Sequence, residues 1–280
     1  MKHSTHYPTF GSWLKDVWLD ILTLLAIGGL GLVTFFSQPL FPHSFPIWNH
    51  QGEIIYPQYD YPLRSQQIPT WVSALVAILV PTTLMLLMQI KVRSFHDLNN
   101  ALFGLFFALT TTAVLYSVLK WFVGGLRPHF YAVCQPRASA ILEAQAAERL
   151  MWFDVSVCTN PDKRAIVEAM QSFPSGHTAA SFAVAVYTSL YFNAKLKLWS
   201  GSRATHWELV VLCLPILGAV MIGSSMIIDG SHHWYDVLAG AVLGTLMAVA
   251  AFRMGFASVF DWRNNHIALS KSKGVLKEPE

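Results

Sequence analysis

WELVVLCLPILGAVMIGSSMIIDGSHHWYDVLAGAVLGTLMAVAAFR, residues 207–253, consists of two apolar stretches joined by a short polar turn. No Lys or Arg lies between Arg203 and Arg253. A bilayer core takes about 20 mainly apolar residues per helix, so 207–228 and 233–253 both read as membrane spans. Working outward, four more stretches qualify: 17–37, 68–90, 98–123 and 174–194. The third of the six is broken near its end by Gly124–Gly125, and the fourth opens on Pro174, which suits the first turn of a helix. In the sixth, Gly240 and Gly244 are spaced to let another helix approach closely. The predicted fold is all-α: a six-transmembrane-helix bundle forming one membrane domain over 1–280, with 254–280 as a cytoplasmic tail.

Composition agrees. Of 280 residues, 54% are apolar and only 12% charged, about half the share of an average soluble domain. The net charge of +3 and the lack of a basic run exclude nucleic acid as the expected partner; the bilayer takes its place. The start is polar and its first apolar stretch is long, so we read an anchor that stays, not a cleaved leader. Six spans put both termini on one side. That side carries 12 Lys and Arg against 7 on the other, which makes the termini cytoplasmic. The loops at 38–67, 125–173 and 229–232 then face the lumen or exterior. The expected location is a multi-pass protein of an endomembrane (vacuole, ER or Golgi) or of the plasma membrane. Cys134 and Cys158 share the 125–173 loop, where an oxidising compartment favours a disulfide over two free thiols. Cys213 lies in a span and reads as a core residue. Within the same loop, residues 138–152 are rich in helix formers and read as a short helix over the site.

Three fragments carry chemistry. The third span ends with Lys120, and Arg127–Pro128 follows; seven residues apart, the two cations would share a helical face. The fourth begins Pro174-Ser175-Gly176-His177. Free N–H groups at a helix start attract anions, Ser175 adds a hydroxyl, Gly176 permits close backbone approach, and His177 is placed to give a proton to a leaving oxygen. The sixth begins at His232-His233, and Asp236 lies four residues beyond His232. A carboxylate that accepts the imidazole N–H frees the other nitrogen to attack. His233 lacks a partner at that spacing. Each fragment alone also fits a plain structural use: a snorkelling cation, an ordinary helix start, an interfacial His–Trp pair. The topology puts all three at one membrane face, and together they form a phosphate-hydrolysis kit.

At these residues the chain resembles the type 2 phosphatidic acid phosphatase superfamily. Lys-x6-Arg-Pro is matched by Lys120, Arg127 and Pro128; Pro-Ser-Gly-His by Pro174 to His177; Ser-Arg-x5-His-x3-Asp by Ser225, His232 and Asp236. Asp261-Trp262-Arg263 resembles fungal diacylglycerol pyrophosphate phosphatases. The resemblance implies metal-independent hydrolysis, without a cofactor, of lipid phosphates such as phosphatidic acid, lysophosphatidic acid or diacylglycerol pyrophosphate. His232 would form a phosphohistidine, with His177 as acid and Asp236 behind the nucleophile. Lys120, Arg127, Ser175 and Gly176 would hold the phosphoryl oxygens. One position departs: Met226 stands where the third motif has Arg. Losing one donor to transition-state charge costs a rate factor of about 10² to 10³, and for an arginine on a transferring phosphoryl group up to about 10⁵. Arg137 and Arg149 are the loop residues available to replace it. Two other readings stand beside the lipid phosphatase: an isoprenyl diphosphate phosphatase, and a weakened relative that binds lipid phosphates or a partner. A transporter has little support, with no internal repeat and no paired broken helices.

Overall fold

The computed structural model describes residues 9–40, 43–49, 51–147, 151–201 and 203–270. Nine helices are found among them: α1 (Phe10–Phe36), α2 (Thr70–Val92), α3 (Phe95–Phe122), α4 (Phe130–Cys134), α5 (Ser139–Ala146), α6 (Lys163–Ala169), α7 (Gly176–Leu196), α8 (His206–Ile228) and α9 (Trp234–Gly255). The described residues form isolated β-bridges but no strand, so the expected all-helical bundle is the fold. Several of its long helices, though not α2 with Pro69 at its N-cap, start on side-chain caps that accept from otherwise unpaired N–H groups. Thr9 caps α1, Ser94 caps α3, and Thr205 with Glu208 forms a capping box on α8.

Five helices, α1, α2, α3, α8 and α9, are long and apolar enough to cross a membrane. The expected fourth span, α7, has 21 residues but is not among them. The reason is its position. It packs against α2, α3, α8 and α9, and 13 of its 21 residues are buried, including Thr178, Ser181, Thr188 and Ser189. A helix shielded by other helices carries small and polar side chains, whereas the outer ones turn apolar faces to lipid. α1 buries only Val17, Gly31 and Thr34.

The α7–α9 contact depends on the two glycines of α9. A Cβ at Gly240 would stand 2.6 Å from the Ser175 carbonyl oxygen; one at Gly244 would fall on the Ala179 carbonyl and 2.8 Å from the Ala183 nitrogen. The two backbones touch there. This fixes the start of α7 beside the start of α9, and so brings the second and third motifs together.

There are two apolar cores. One lies within the bundle and includes Met85, Leu105, Tyr187, Tyr191, Phe252 and Phe256. The other lies in the connections at the far end of α3 and holds Phe45, Ile47, Phe130, Tyr131, Phe153 and Ile166. This cap is tied by a Cys134–Cys158 disulfide and by the paired backbones of Phe45 and Phe153. The helix expected over 138–152 is shorter than read: α5 ends at Ala146 and packs through Ala140 and Ala144 into the cap core. Residues 148–150 lie outside the described residues. Beyond α9 the chain folds back beneath the bundle, with Ala257 N–H bonding the Ile267 carbonyl and Asn100 donating to the Gly255 and Leu269 carbonyls. The Asp261-Trp262-Arg263 stretch is a turn whose carboxylate accepts from Arg263 N–H and the Asn264 side chain. Of the segment read as a tail, 271–280 lies outside the described residues.

Candidate active site

The three motif fragments converge at the cap end of the bundle, hung on one another by backbone hydrogen bonds. α3 stops at Phe122, and Gly124 (φ 66°) and Gly125 (φ 98°) turn the chain in the left-handed region that favours glycine. Ser172 and Phe173 N–H groups bond the carbonyls of Gly125 and Gly124. Ser175 N–H bonds the Asp236 carbonyl. The first fragment thereby holds the second, and the second holds the third.

Lys120 is buried in the last turn of α3, its Nζ donating to the Gln171 carbonyl at 2.6 Å. Arg127 does not share a helical face with it, as the seven-residue spacing suggested, because the glycine turn ends the helix first. It reaches the site from the loop, with its N–H on the Ala169 carbonyl. Its Nη2 faces Glu168 at 3.4 Å, and its buried Nε has no hydrogen-bond partner.

α7 starts at Gly176, two residues later than the expected opening on Pro174. Ser175 is the N-cap, and Pro174 precedes it in a cis peptide with Phe173. Ser175 Oγ accepts from Thr178 N–H (3.4 Å) and Thr178 Oγ1 (3.0 Å), so its own hydrogen remains to be donated. At Gly176 a Cβ would stand 3.0 Å from the Tyr116 ring, a tight approach that the ring would have to yield to. His177 Nε2 is buried without a partner.

His232 and Asp236 meet, though not on a helical face. α9 begins at Trp234 with His233 as its cap, and Asp236 closes a capping box by accepting His233 N–H at 3.0 Å. His232 precedes the helix. Its N–H and that of Ser231 both bond the Met226 carbonyl at 3.0 Å, and Gly230, at φ 70°, makes the turn. His129 Nδ1 contacts the Gly230 carbonyl at 2.9 Å. His232 Nδ1 lies 3.7 Å from Asp236 Oδ2, longer than a hydrogen bond. His233, left without a partner by its spacing, is nearer the same oxygen at 3.4 Å. Its ring stacks on Tyr235 and meets the edge of Tyr59. Ser172 Oγ donates to Asp236 Oδ2 at 2.6 Å and is 3.5 Å from His232 Nδ1.

Burial drives the His232 imidazole down to about 3; the Asp236 carboxylate opposes this, and the charges of Lys120 and Arg127 reinforce it. The ring is therefore neutral at physiological pH, the form in which a ring nitrogen has a lone pair to attack with. Among the described residues no three His, Cys, Asp or Glu side chains are grouped to hold a metal ion.

Residues 101–260, more than half of the chain, match the PAP2 superfamily. The chain belongs to the PAP2 superfamily. It is 32% identical over 257 residues to Lipid phosphate phosphatase 2 of Arabidopsis thaliana, covering 92% of this chain and 82% of that protein. It is 29% identical over 257 residues to Lipid phosphate phosphatase 1 of the same plant, covering 91% and 72%. Diacylglycerol pyrophosphate phosphatase 1 of Saccharomyces cerevisiae is 31% identical over 164 residues, 59% of this chain and 54% of that one. No solved structure matches the chain.

In this PAP2 chain Met226, at the motif's arginine position, is fully buried. Its backbone still shapes the His232 turn, because a carbonyl does that whatever the side chain. Arg137 does not take the missing place: it pairs with Glu143 at 3.1 Å on the exposed cap. Arg149 lies outside the described residues. Sequence reading also missed Ser172, Gln171 and His129. No spacing rule flags a serine before a Pro-Ser-Gly-His run, or a carbonyl acceptor. His129 was visible only as the residue after Arg127–Pro128.

Proposed function

We propose that this PAP2-superfamily chain is an integral-membrane lipid phosphate phosphatase that works through His232 without a metal. The supporting observation is the buried, neutral imidazole of His232 set beside the Asp236 carboxylate and the cations Lys120 and Arg127. Nε2 of His232 attacks phosphorus. The P–O bond to the leaving alcohol or phosphate breaks, and His177 supplies the proton that leaving oxygen needs. A water, deprotonated by His177, then attacks the phosphohistidine and releases phosphate, restoring both rings. Lys120, Arg127, the Ser175 hydroxyl and backbone N–H groups at the start of α7 stabilise the charge on the phosphoryl oxygens.

The names of the relatives point to lipid phosphates and diacylglycerol pyrophosphate as the substrate class, and phosphatidic acid and lysophosphatidic acid are the lipid phosphates proposed for this chain. Exposed Trp71 and Trp234 at the cap end, and Trp18, Trp199 and Trp207 at the other, suit the two interfacial belts of a membrane protein. They support a site at headgroup depth. The charge count supports cytoplasmic termini and a lumenal or extracellular site in an endomembrane or the plasma membrane.

Met226 favours one qualification. Without that arginine the rate is lower by about 10²–10³ than with it, and Met226→Arg raises turnover if the buried pocket accepts the longer side chain. The deciding experiment is phosphate release from phosphatidic acid and diacylglycerol pyrophosphate in detergent micelles with EDTA, native chain beside His232→Ala. Release that disappears in the variant supports the reading. Equal, near-background release from two folded proteins sinks it in favour of a lipid-phosphate-binding relative.

A further inference from the structure

We infer that Ser172 is a positioning residue for the proposed nucleophile: its hydroxyl is the link through which Asp236 orients His232. This rests on the reading of His232 as nucleophile, but the residue lies outside all three motifs. Ser172 is 1% exposed, and its Oγ stands between the two groups, 2.6 Å from Asp236 Oδ2 and 3.5 Å from His232 Nδ1. The direct imidazole–carboxylate separation, 3.7 Å, is past hydrogen-bond range, and the 3.5 Å to Ser172 Oγ stands at its outer edge.

Hydrogen counting gives the direction of the chain. An ionised carboxylate only accepts, so the Ser172 proton goes to Asp236. The lone pairs of Ser172 Oγ then face Nδ1, which can only donate to them. That places the imidazole hydrogen on Nδ1 and leaves Nε2 bare to attack. The alternative tautomer would set the Nδ1 lone pair against those of Oγ.

Ser172 shares Asp236 Oδ2 with the α9 cap: the same oxygen accepts His233 N–H at 3.0 Å and lies 3.4 Å from the His233 ring, while Oδ1 has no partner among the described residues. The serine is itself well held. Its N–H is fixed on the Gly125 carbonyl, beside Gln171, whose carbonyl receives Lys120. One short segment therefore positions both the nucleophile's support and a phosphate-binding cation.

The test uses the full chain in detergent micelles, with phosphatidic acid as substrate. It compares native protein, His232→Ala, Ser172→Ala, Ser172→Cys (similar volume, weak donor) and Ser172→Thr (hydroxyl kept), with thermal unfolding recorded for each. Loss of a partner that orients an imidazole costs about 10- to 100-fold. The expected result is that loss in kcat for the Ala and Cys variants, with KM within about 2-fold of native and most of kcat retained in the Thr variant. If Ser172→Ala unfolds, the Cys and Thr pair decides alone. Native kcat in the Cys variant, or equal losses in Cys and Thr, overturns the inference while leaving His232 as nucleophile. Native release no greater than that of His232→Ala overturns both.

Discussion

The two ends of the bundle treat buried charge in opposite ways. At the end away from the cap, Asp97 of α3 is nearly inaccessible, and all its contacts are answered. Lys195 of α7 forms an ion pair with it, and Tyr191 (2.8 Å) and Gln89 (3.1 Å) donate to its other oxygen. Lys195 also donates to the His266 carbonyl and lies over the Phe256 ring. In that half of the bundle the Asn193 and Asn265 amide nitrogens and Thr188 Oγ1 go without a partner among the described residues. At the cap end, about 35 Å away by helix rise, Arg127 Nε, His177 Nε2 and Asp236 Oδ1 are buried with no partner. Leaving such groups unmet costs stability. The first end holds α2, α3, α7 and the returning chain together; the second leaves unengaged the groups proposed to bind phosphate and to carry its proton. Stability and proposed catalysis are thus placed a helix length apart.

That contrast can be broken by mutation. The largest effect belongs to Asp97→Ala, which leaves Lys195 buried and unmatched, at a cost of about 3–5 kcal/mol. Thermal unfolding in detergent is expected to show it, while phosphate release per folded molecule stays near native. Arg127→Ala is expected to do the reverse. Removing a donor to transition-state charge lowers kcat/KM by about 10²–10³, with an unfolding midpoint at or above that of the native chain. A variant that lost both activity and stability equally would erase the distinction between the ends.

A pH series sharpens it further. His232 has its folded value at about 3 against an ordinary 6.5, so the unfolded chain binds a proton that the folded chain refuses. Stability is intact above about 6.5 and falls as pH drops toward 3, by about 2 kcal/mol at pH 5 from this group. His129 and His266, also lowered by burial, add to the slope. The unfolding midpoint of the native chain should therefore fall on acidification more steeply than that of His232→Ala; parallel curves would contradict a buried neutral ring. The smallest effect is at Arg137, whose pair with Glu143 is exposed on both sides. Arg137→Ala is expected to change stability by less than about 1 kcal/mol and leave phosphate release unaltered. A large loss of activity would instead place this cation at the phosphate.

Much of this was legible in the chain. The apolar stretches announced the helices because lipid imposes one demand along the whole length of a span. The motif residues were legible because the chemistry needs those side-chain types. What failed was inference by helical spacing near the site. Lys120 and Arg127 were read as one helical face, as were His232 and Asp236, yet in both cases a glycine turn or a cap intervenes. Local geometry at helix ends follows from capping and positive-φ residues, which a period of 3.6 does not register. The stretch read as the fourth span is α7, which is less apolar than the other five long helices because its central place lets it carry polar residues.

By itself, then, the sequence determined the membrane setting, the helical class and which side chains the motifs supply to the proposed site, because each follows from side-chain chemistry read position by position. Tertiary structure decided which of them touch. It put the Gly240–Gly244 face of α9 on the α7 backbone, hung Ser172 on the glycine turn after α3, and set that hydroxyl between His232 and Asp236. Contacts between residues 47 or more apart in the chain depend on how helices pack, and no local pattern encodes that.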